Sequence, residues 1–168
     1  CTFLDLQEYG IFWKANAGAP GTDMATADMT LENWNTTIAT NLTGPMLLTR
    51  EALRRAMIPA GRGNVQFCSS MAATNVRARK AHYAVAKLGL VALTETLARE
   101  VSTQGIRVNC MMIGLVAGEL VDQWVTRMAA EQGQPEAMIR AGLVAGIPQQ
   151  RAIDPAEVAA LSLYLASD

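Results

Sequence analysis

Apolar residues along the chain follow two alternating rhythms. Asn64-Val65-Gln66-Phe67-Cys68 is entered from Gly61-Arg62-Gly63 and left through Ser69-Ser70, and such a short run between turn residues predicts a buried strand. Ile106 to Ile113, between Gly105 and Gly114, predicts a second. Around these runs the apolar positions fall at helical spacing: Trp34, Ile38, Leu42, Met46, Leu47 and Leu53, then Val85, Leu88, Leu93, Leu97 and Val101. Asp154-Pro155-Ala156-Glu157 offers a capping residue, a proline at the first helical position and a carboxylate three residues after the cap, and so predicts a helix start before Val158, Leu161 and Leu165. This alternation is that of an α/β domain built on a parallel sheet. Ligands of such sheets sit beyond the carboxyl ends of the strands, which directs attention to the segments after Cys68 and after Ile113.

Composition narrows the picture. At 168 residues the chain is of single-domain size, and 51% hydrophobic against 17% charged residues is too apolar a balance for disorder. A formal charge of −1 leaves no basic field for nucleic acid or an anionic membrane, so a small molecule is the expected partner. No apolar run reaches the ~18 residues of a membrane span. Cys1, Cys68 and Cys110 are too scattered for a disulfide framework or a zinc site, and reduced thiols in a cytoplasmic protein are the expectation. His82 is the only histidine, which removes histidine-based triads and multi-histidine metal sites. With Arg77, Arg79 and Lys80 it forms a basic cluster that reads as a solvated loop.

The chemistry lies just past the first predicted strand end. Ser70 is followed thirteen residues later by Tyr83-Ala84-Val85-Ala86-Lys87, and Tyr83 and Lys87, four apart, share one helix face. An adjacent cation stabilises a phenolate, which can make tyrosine a usable acid/base near neutral pH, and a serine hydroxyl can hold the substrate oxygen.

Together with further motifs, these residues resemble the short-chain dehydrogenase/reductase family. Asn16-Ala17-Gly18 is similar to the family's Asn-Asn-Ala-Gly, with Ala15 in place of the first Asn; Asn41-Leu42-Thr43-Gly44 resembles its catalytic asparagine segment. Arg107-Val108-Asn109 with Gly114, and Ile147-Pro148-Gln149-Gln150-Arg151 followed by Glu157-Val158-Ala159 and Leu165-Ala166-Ser167-Asp168, match later family segments in order and spacing. The resemblance implies a Rossmann-like parallel sheet with flanking helices, and NAD or NADP as cofactor for hydride transfer to or from a secondary alcohol, ketone or related carbonyl. It implies Tyr83 as proton donor and acceptor, Ser70 on the substrate oxygen, Lys87 lowering the Tyr83 pKa and binding the nicotinamide ribose, and Asn41 helping to hold a relay water. Asn16, Ala17, Gly18 and Gly114 would then line the cofactor, and Leu115, Val116, Leu120, Trp124 and Met128 a substrate lid. It further implies a homo-oligomer paired through the helices around 39–53 and 82–100.

Two departures stand out. No Thr-Gly-x-x-x-Gly-x-Gly turn, the family's pyrophosphate cradle, occurs in the chain, and Ile113-Gly114 stands where the family reads Pro-Gly. The matching region starts near the family's fourth strand, at Gly10-Ile11-Phe12-Trp13-Lys14, and Asp168 falls where a seventh strand would follow. The expectation is therefore an incomplete sheet, residues 1–168 forming a single partial domain of a protein of about 250 residues, with two open parallel edges. The rival expectation is a truncated, catalytically silent chain that acts by association with a full-length subunit.

Overall fold

The computed structural model describes residues 2–6, 10–16 and 18–167. It divides into two compact units, Cys1–Ile113 with Tyr164–Asp168, and Gly114–Leu163.

The first unit holds a four-stranded sheet: β1 (Thr2–Leu6), β2 (Gly10–Ala15), β3 (Gly63–Ser70) and β4 (Ile106–Ile113), in that spatial order. β2, β3 and β4 are parallel, as the alternation of runs predicts. β1 corrects the expectation of two open edges. It pairs antiparallel with β2, Thr2 opposite Lys14 and Leu6 opposite Gly10, so the β2 edge is covered. Among the described residues β4 alone keeps the open parallel edge.

One face of the sheet carries the helices. α1 (Leu31–Ile38), α2 (Gly44–Ala52) and α3 (Ile58–Ala60) run on from one another through π-helical turns at Ala39–Thr43 and Leu53–Met57. The Thr30 side chain caps α1 by accepting from the Asn33 amide at 3.2 Å. α4 (Ala81–Val101) lies beside them. Between helices and sheet, Trp13, Ala15, Val65, Phe67 and Ile106 pack against Ala52, Leu53, Met57, Leu90, Leu97 and Val101. The Trp13 indole N–H spends its polar end on Thr49 Oγ1 at 2.9 Å, fastening β2 to α2.

Apolar spacing misplaces one stretch of α4. Val85 and Leu88 are exposed, whereas Ala84, Ala86 and Leu90 are buried. The helix is apolar on more than one side, and its small alanines let the backbone approach the sheet, so spacing alone does not select the inward face.

The other face of β3 and β4 is polar where the last turn of α7 (Pro155–Ala166) arrives. Arg107 donates to the carbonyls of Leu165, Ala166 and Ser167 at 2.9, 3.2 and 2.7 Å, and Asn64 Nδ2 to Leu165 at 2.7 Å. These donors satisfy carbonyls that a helix C-terminus leaves without partners.

In the second unit α5 (Glu119–Gln132) and α6 (Glu136–Val144) pack through Val125, Ala129 and Ile139, with Arg140 on Asp122 at 2.8 Å. The start of α7 is the predicted capping box: Asp154 Oδ1 accepts from Ala156 N, and Glu157 Oε2 from Asp154 N, both at 2.8 Å. Arg151 also holds Glu157 in a two-pronged bridge of 2.6 and 2.8 Å, and these contacts lower its carboxyl to about 2.

Candidate active site

Pairing of β2 with β3 ends at Ala15 and Phe67, while β3 and β4 stay paired to Ser70 and Ile113. Cys68, Ser69 and Ser70 therefore project beyond β2, and all three engage α4. The Cys68 carbonyl accepts from Lys87 Nζ at 2.9 Å, Ser69 Oγ donates to the Lys87 carbonyl at 2.7 Å, and Ser70 lies near enough to Tyr83 to act on its phenol. The end of one strand thus fixes two side chains on successive turns of one helix. Ser70 Oγ also accepts from the Ala72 amide at 3.2 Å, which holds its hydroxyl at the strand end.

Lys87 is 4% exposed, and its ammonium lies 5.6 Å from the centre of the Tyr83 ring. Burial pushes Lys87 below the ordinary lysine range, an effect that the Cys68 and Cys110 thiols counter in part. Burial pushes the Tyr83 phenol up, and the Ser70 hydroxyl draws it back in part. The influences on the phenol are thus burial, which is the larger, and Ser70, while Lys87 Nζ gives one of its three donors to the Cys68 carbonyl. Cys68 and Cys110 are free thiols, both raised by burial.

Asn41 sits in the first π-helical turn and is fully buried. Its amide donates to the carbonyls of Ala19 at 2.8 Å and Thr37 at 2.9 Å, and its Oδ1 accepts from Ala19 N at 3.2 Å. Both amide hydrogens are thereby used, so the side chain anchors the loop after β2. Gly18 in that loop lies against the site. A Cβ placed there would stand 3.2 Å from Asn41 Oδ1 and 3.3 Å from Lys87 Nζ.

Five predicted site residues thus come together: Gly18, Asn41, Ser70, Tyr83 and Lys87. Asn16 is exposed at the end of β2, Ala17 lies outside the described residues, and Gly114 is exposed directly after β4. In the second unit Leu120 is 80% exposed and Trp124 37%, while Val121 and Met128 border the small core.

His82 overturns its assignment to a solvated loop. It lies in the first turn of α4 with no exposed surface, although Arg77 and Arg79 are exposed as expected. Ser69 is a contributor that sequence reasoning passed over; its signal was a second serine beside Ser70 at a strand end.

A family model described as enoyl-(acyl carrier protein) reductase matches residues 7–168. The chain belongs to the short-chain dehydrogenase/reductase family. Among curated members, 3-oxoacyl-(acyl-carrier-protein) reductase of Chlamydia pneumoniae is 33% identical over 139 residues, covering 83% of this chain and 51% of that protein. The (3R)-3-hydroxyacyl-CoA dehydrogenase of Rattus norvegicus is 32% identical over 140 residues, covering 83% and 50%. The chain thus spans about half the length of the curated relatives it matches. Among solved members, an actinorhodin polyketide ketoreductase with NADPH superposes with a TM-score of 0.85 at 28% identity, covering 93% of this chain and 60% of its own. A xylitol dehydrogenase with bound NAD+ shares the fold at a TM-score of 0.80 and 23% identity, covering 94% and 62%. Among the described residues no helix is long and apolar enough to cross a membrane, and no group of three or more metal-ligating side chains occurs.

Proposed function

We propose that this site serves NAD(P)-dependent hydride transfer between a secondary alcohol and a ketone or related carbonyl, with Tyr83 as the acid/base. The observation that supports it is the grip of Cys68, Ser69 and Ser70 on Lys87 and Tyr83. A phenol and a serine hydroxyl close enough to influence one another can both reach one substrate oxygen, and positioning of this kind makes up much of what the protein contributes to a hydride transfer. In the reducing direction the Tyr83 proton moves to the carbonyl oxygen as that oxygen gains charge, and Ser70 donates to the same oxygen. The alcohol forms as its carbon accepts a hydride; the reverse reaction returns the proton to Tyr83. The relatives' names place their chemistry at a 3-oxo or 3-hydroxy position, which supports an alcohol–ketone couple.

The nicotinamide, when bound, supplies or accepts the hydride. Its ribose end fits the residues present: Gly18 leaves open the space that a Cβ would fill beside Lys87 Nζ, and the Lys87 ammonium can donate to hydroxyls there. Asn16, Ala17 and Gly114 are the further candidates for that lining. The pyrophosphate end has no counterpart, because the 168 residues contain no glycine-rich turn of the family type.

A second reading has the chain act by association with a full-length subunit. The exposed Leu47 and Leu48 on α2 and Val85 and Leu88 on α4 are the apolar positions for such pairing, or for a homo-oligomer. Titration of the chain with NADH and NADPH to millimolar concentration discriminates the two. A fluorescence change lost in Lys87→Met supports the enzyme reading, and its absence in the parent chain rejects that reading for these 168 residues.

A further inference from the structure

His82 is the residue before Tyr83, and the mechanism above does not use it. It is fully buried, and neither ring nitrogen has a well-formed hydrogen bond, the Pro20 carbonyl exerting only a small pull on the ring. Buried polar atoms of native proteins nearly always find good partners, so a buried ring whose nitrogens lack well-formed hydrogen bonds calls for an explanation.

The surroundings supply one. The segment from Pro20 to Met24 closes over the imidazole. A Cβ at Gly21, where φ is +65°, would lie 2.5 Å from Thr37 Oγ1 and closer still to His82 Nε2. The same segment is tied to the approach to α4: the Met24 amide donates to the Arg79 carbonyl at 3.0 Å, Arg79 to the Asp23 carbonyl at 3.2 Å and Lys80 Nζ to the Pro20 carbonyl at 3.4 Å, and Lys80 pairs with the Asp23 carboxylate. Its other end is Ala19, held by Asn41, next to Gly18 beside Lys87.

We propose that His82 is a proton-sensitive positioning residue: uncharged, it lets the Pro20–Met24 segment close on α4, and charged, it releases that segment, leaving the Asn41 anchor alone to hold Gly18 beside Lys87. The groups facing it favour the neutral ring. It sits in the first turn of a 21-residue helix, whose N-terminal dipole opposes a cation and whose first turn carries no acidic residue. Lys80 adds positive charge from the approach to the helix, the exposed Arg79 side chain bonds the Asp23 carbonyl, and Thr37 on α1 is neutral. Asp23 on the loop is the one carboxylate, and Lys80 already occupies it. Burial first, and Lys80 second, hold the imidazole below its ordinary 6.5, against a smaller opposing pull from Asp23 and the Pro20 carbonyl. A proton that does enter must be hydrated or given an acceptor, and the loop covering the ring is what has to move.

The consequence for the site rests on the proposed cofactor reading, and the test separates the two. His82 is the only histidine, so one imidazole signal in the magnetic resonance spectrum of the whole chain reports it. With glycine labelled on nitrogen, that signal is expected to titrate below 6.5, and the Gly21 and Gly18 amides to move with the same midpoint. Glycine amides that ignore the imidazole titration, or a midpoint at 6.5, overturn the proposal. Lys80→Gln is expected to raise the midpoint and carry the glycine shifts with it; an unmoved midpoint also overturns it. NADPH affinity, followed by fluorescence, is expected to weaken below the midpoint by up to about tenfold per pH unit. His82→Phe, or His82→Asn should the first fold poorly, is expected to remove that dependence. Glycine shifts that track His82 without NADPH binding at any pH support the loop device while rejecting the cofactor reading. Affinity unchanged across the midpoint while the glycines move overturns the link from His82 to Lys87.

Discussion

Lys87 Nζ donates to the Cys68 carbonyl at 2.9 Å from a side chain that is 4% exposed. A buried cation held by one neutral carbonyl costs stability that an apolar side chain of similar length would not. Lys87→Met is therefore expected to raise stability in urea at neutral pH by on the order of 1 kcal/mol while removing cofactor affinity. Because the folded-state value lies below the ordinary 10.5, the unfolded chain holds the extra proton between the two, and stability rises with pH up to 10.5. Denaturation midpoints measured across that range should show the rise in the parent and lose it in the variant.

Tyr83 titrates in the opposite sense. Its phenol is raised above the ordinary 10 by burial, so the folded chain keeps a proton that the unfolded chain gives up, and stability falls as pH climbs through 10. Ultraviolet absorbance of the phenolate should show a component above 10 that Tyr83→Phe deletes. Ser70→Ala should move that component further up, and a downward move would refute the role of Ser70. In any assay that detects turnover, Tyr83→Phe is expected to cost on the order of 10²-fold or more.

Gly21 carries a backbone conformation that side chains rarely adopt and has no room for one. Gly21→Ala is expected to cost about 2 kcal/mol, from strain at positive φ and from collision with His82 and Thr37. Gly61 has a similar φ but nothing within 4 Å of a Cβ, so Gly61→Ala should cost about 1 kcal/mol from strain alone. Comparing the two denaturation midpoints measures the collision.

Arg107 reaches three carbonyls at the end of α7. Arg107→Ala is expected to cost about 1–2 kcal/mol and to speed amide exchange in the last turn of that helix before it speeds exchange in β3. Uniform exchange changes across the chain would show that the contact is not a cap.

Legibility in the sequence followed the locality of each signal. β4 occupies Ile106–Ile113 as its bounding glycines predict, and the α7 capping box forms as written, because both depend on neighbours within a few residues. Tyr83 and Lys87 meet the end of β3 for a similar reason, since helical spacing and a strand end place them. The burial of His82 was hidden by polar neighbours: α4 begins one residue earlier, and a single turn carries the ring inward while Arg77 and Arg79 stay outside. Asn64 and Gln66 are buried as the reading of a buried strand predicts, but the partner of Asn64 is a carbonyl 101 positions away. Contacts of that separation leave no periodicity to read. The pairing of β1 was missed because a run as short as Thr2–Leu6 is ambiguous without the edge it completes.

That pairing also bears on the order of events during folding. A local antiparallel hairpin closes in roughly 1–10 μs, whereas parallel partners far apart in the chain must first pay for closing a long loop. Phe12 of β2 lies a few residues from its β1 partner Leu4 and 52 positions from its β3 partner Asn64. The side of β2 facing β1 is thus occupied by its nearest neighbour in the chain before the rest of the sheet assembles. Any other strand seeking that position would have to enter by exchange, peeling β1 away pair by pair.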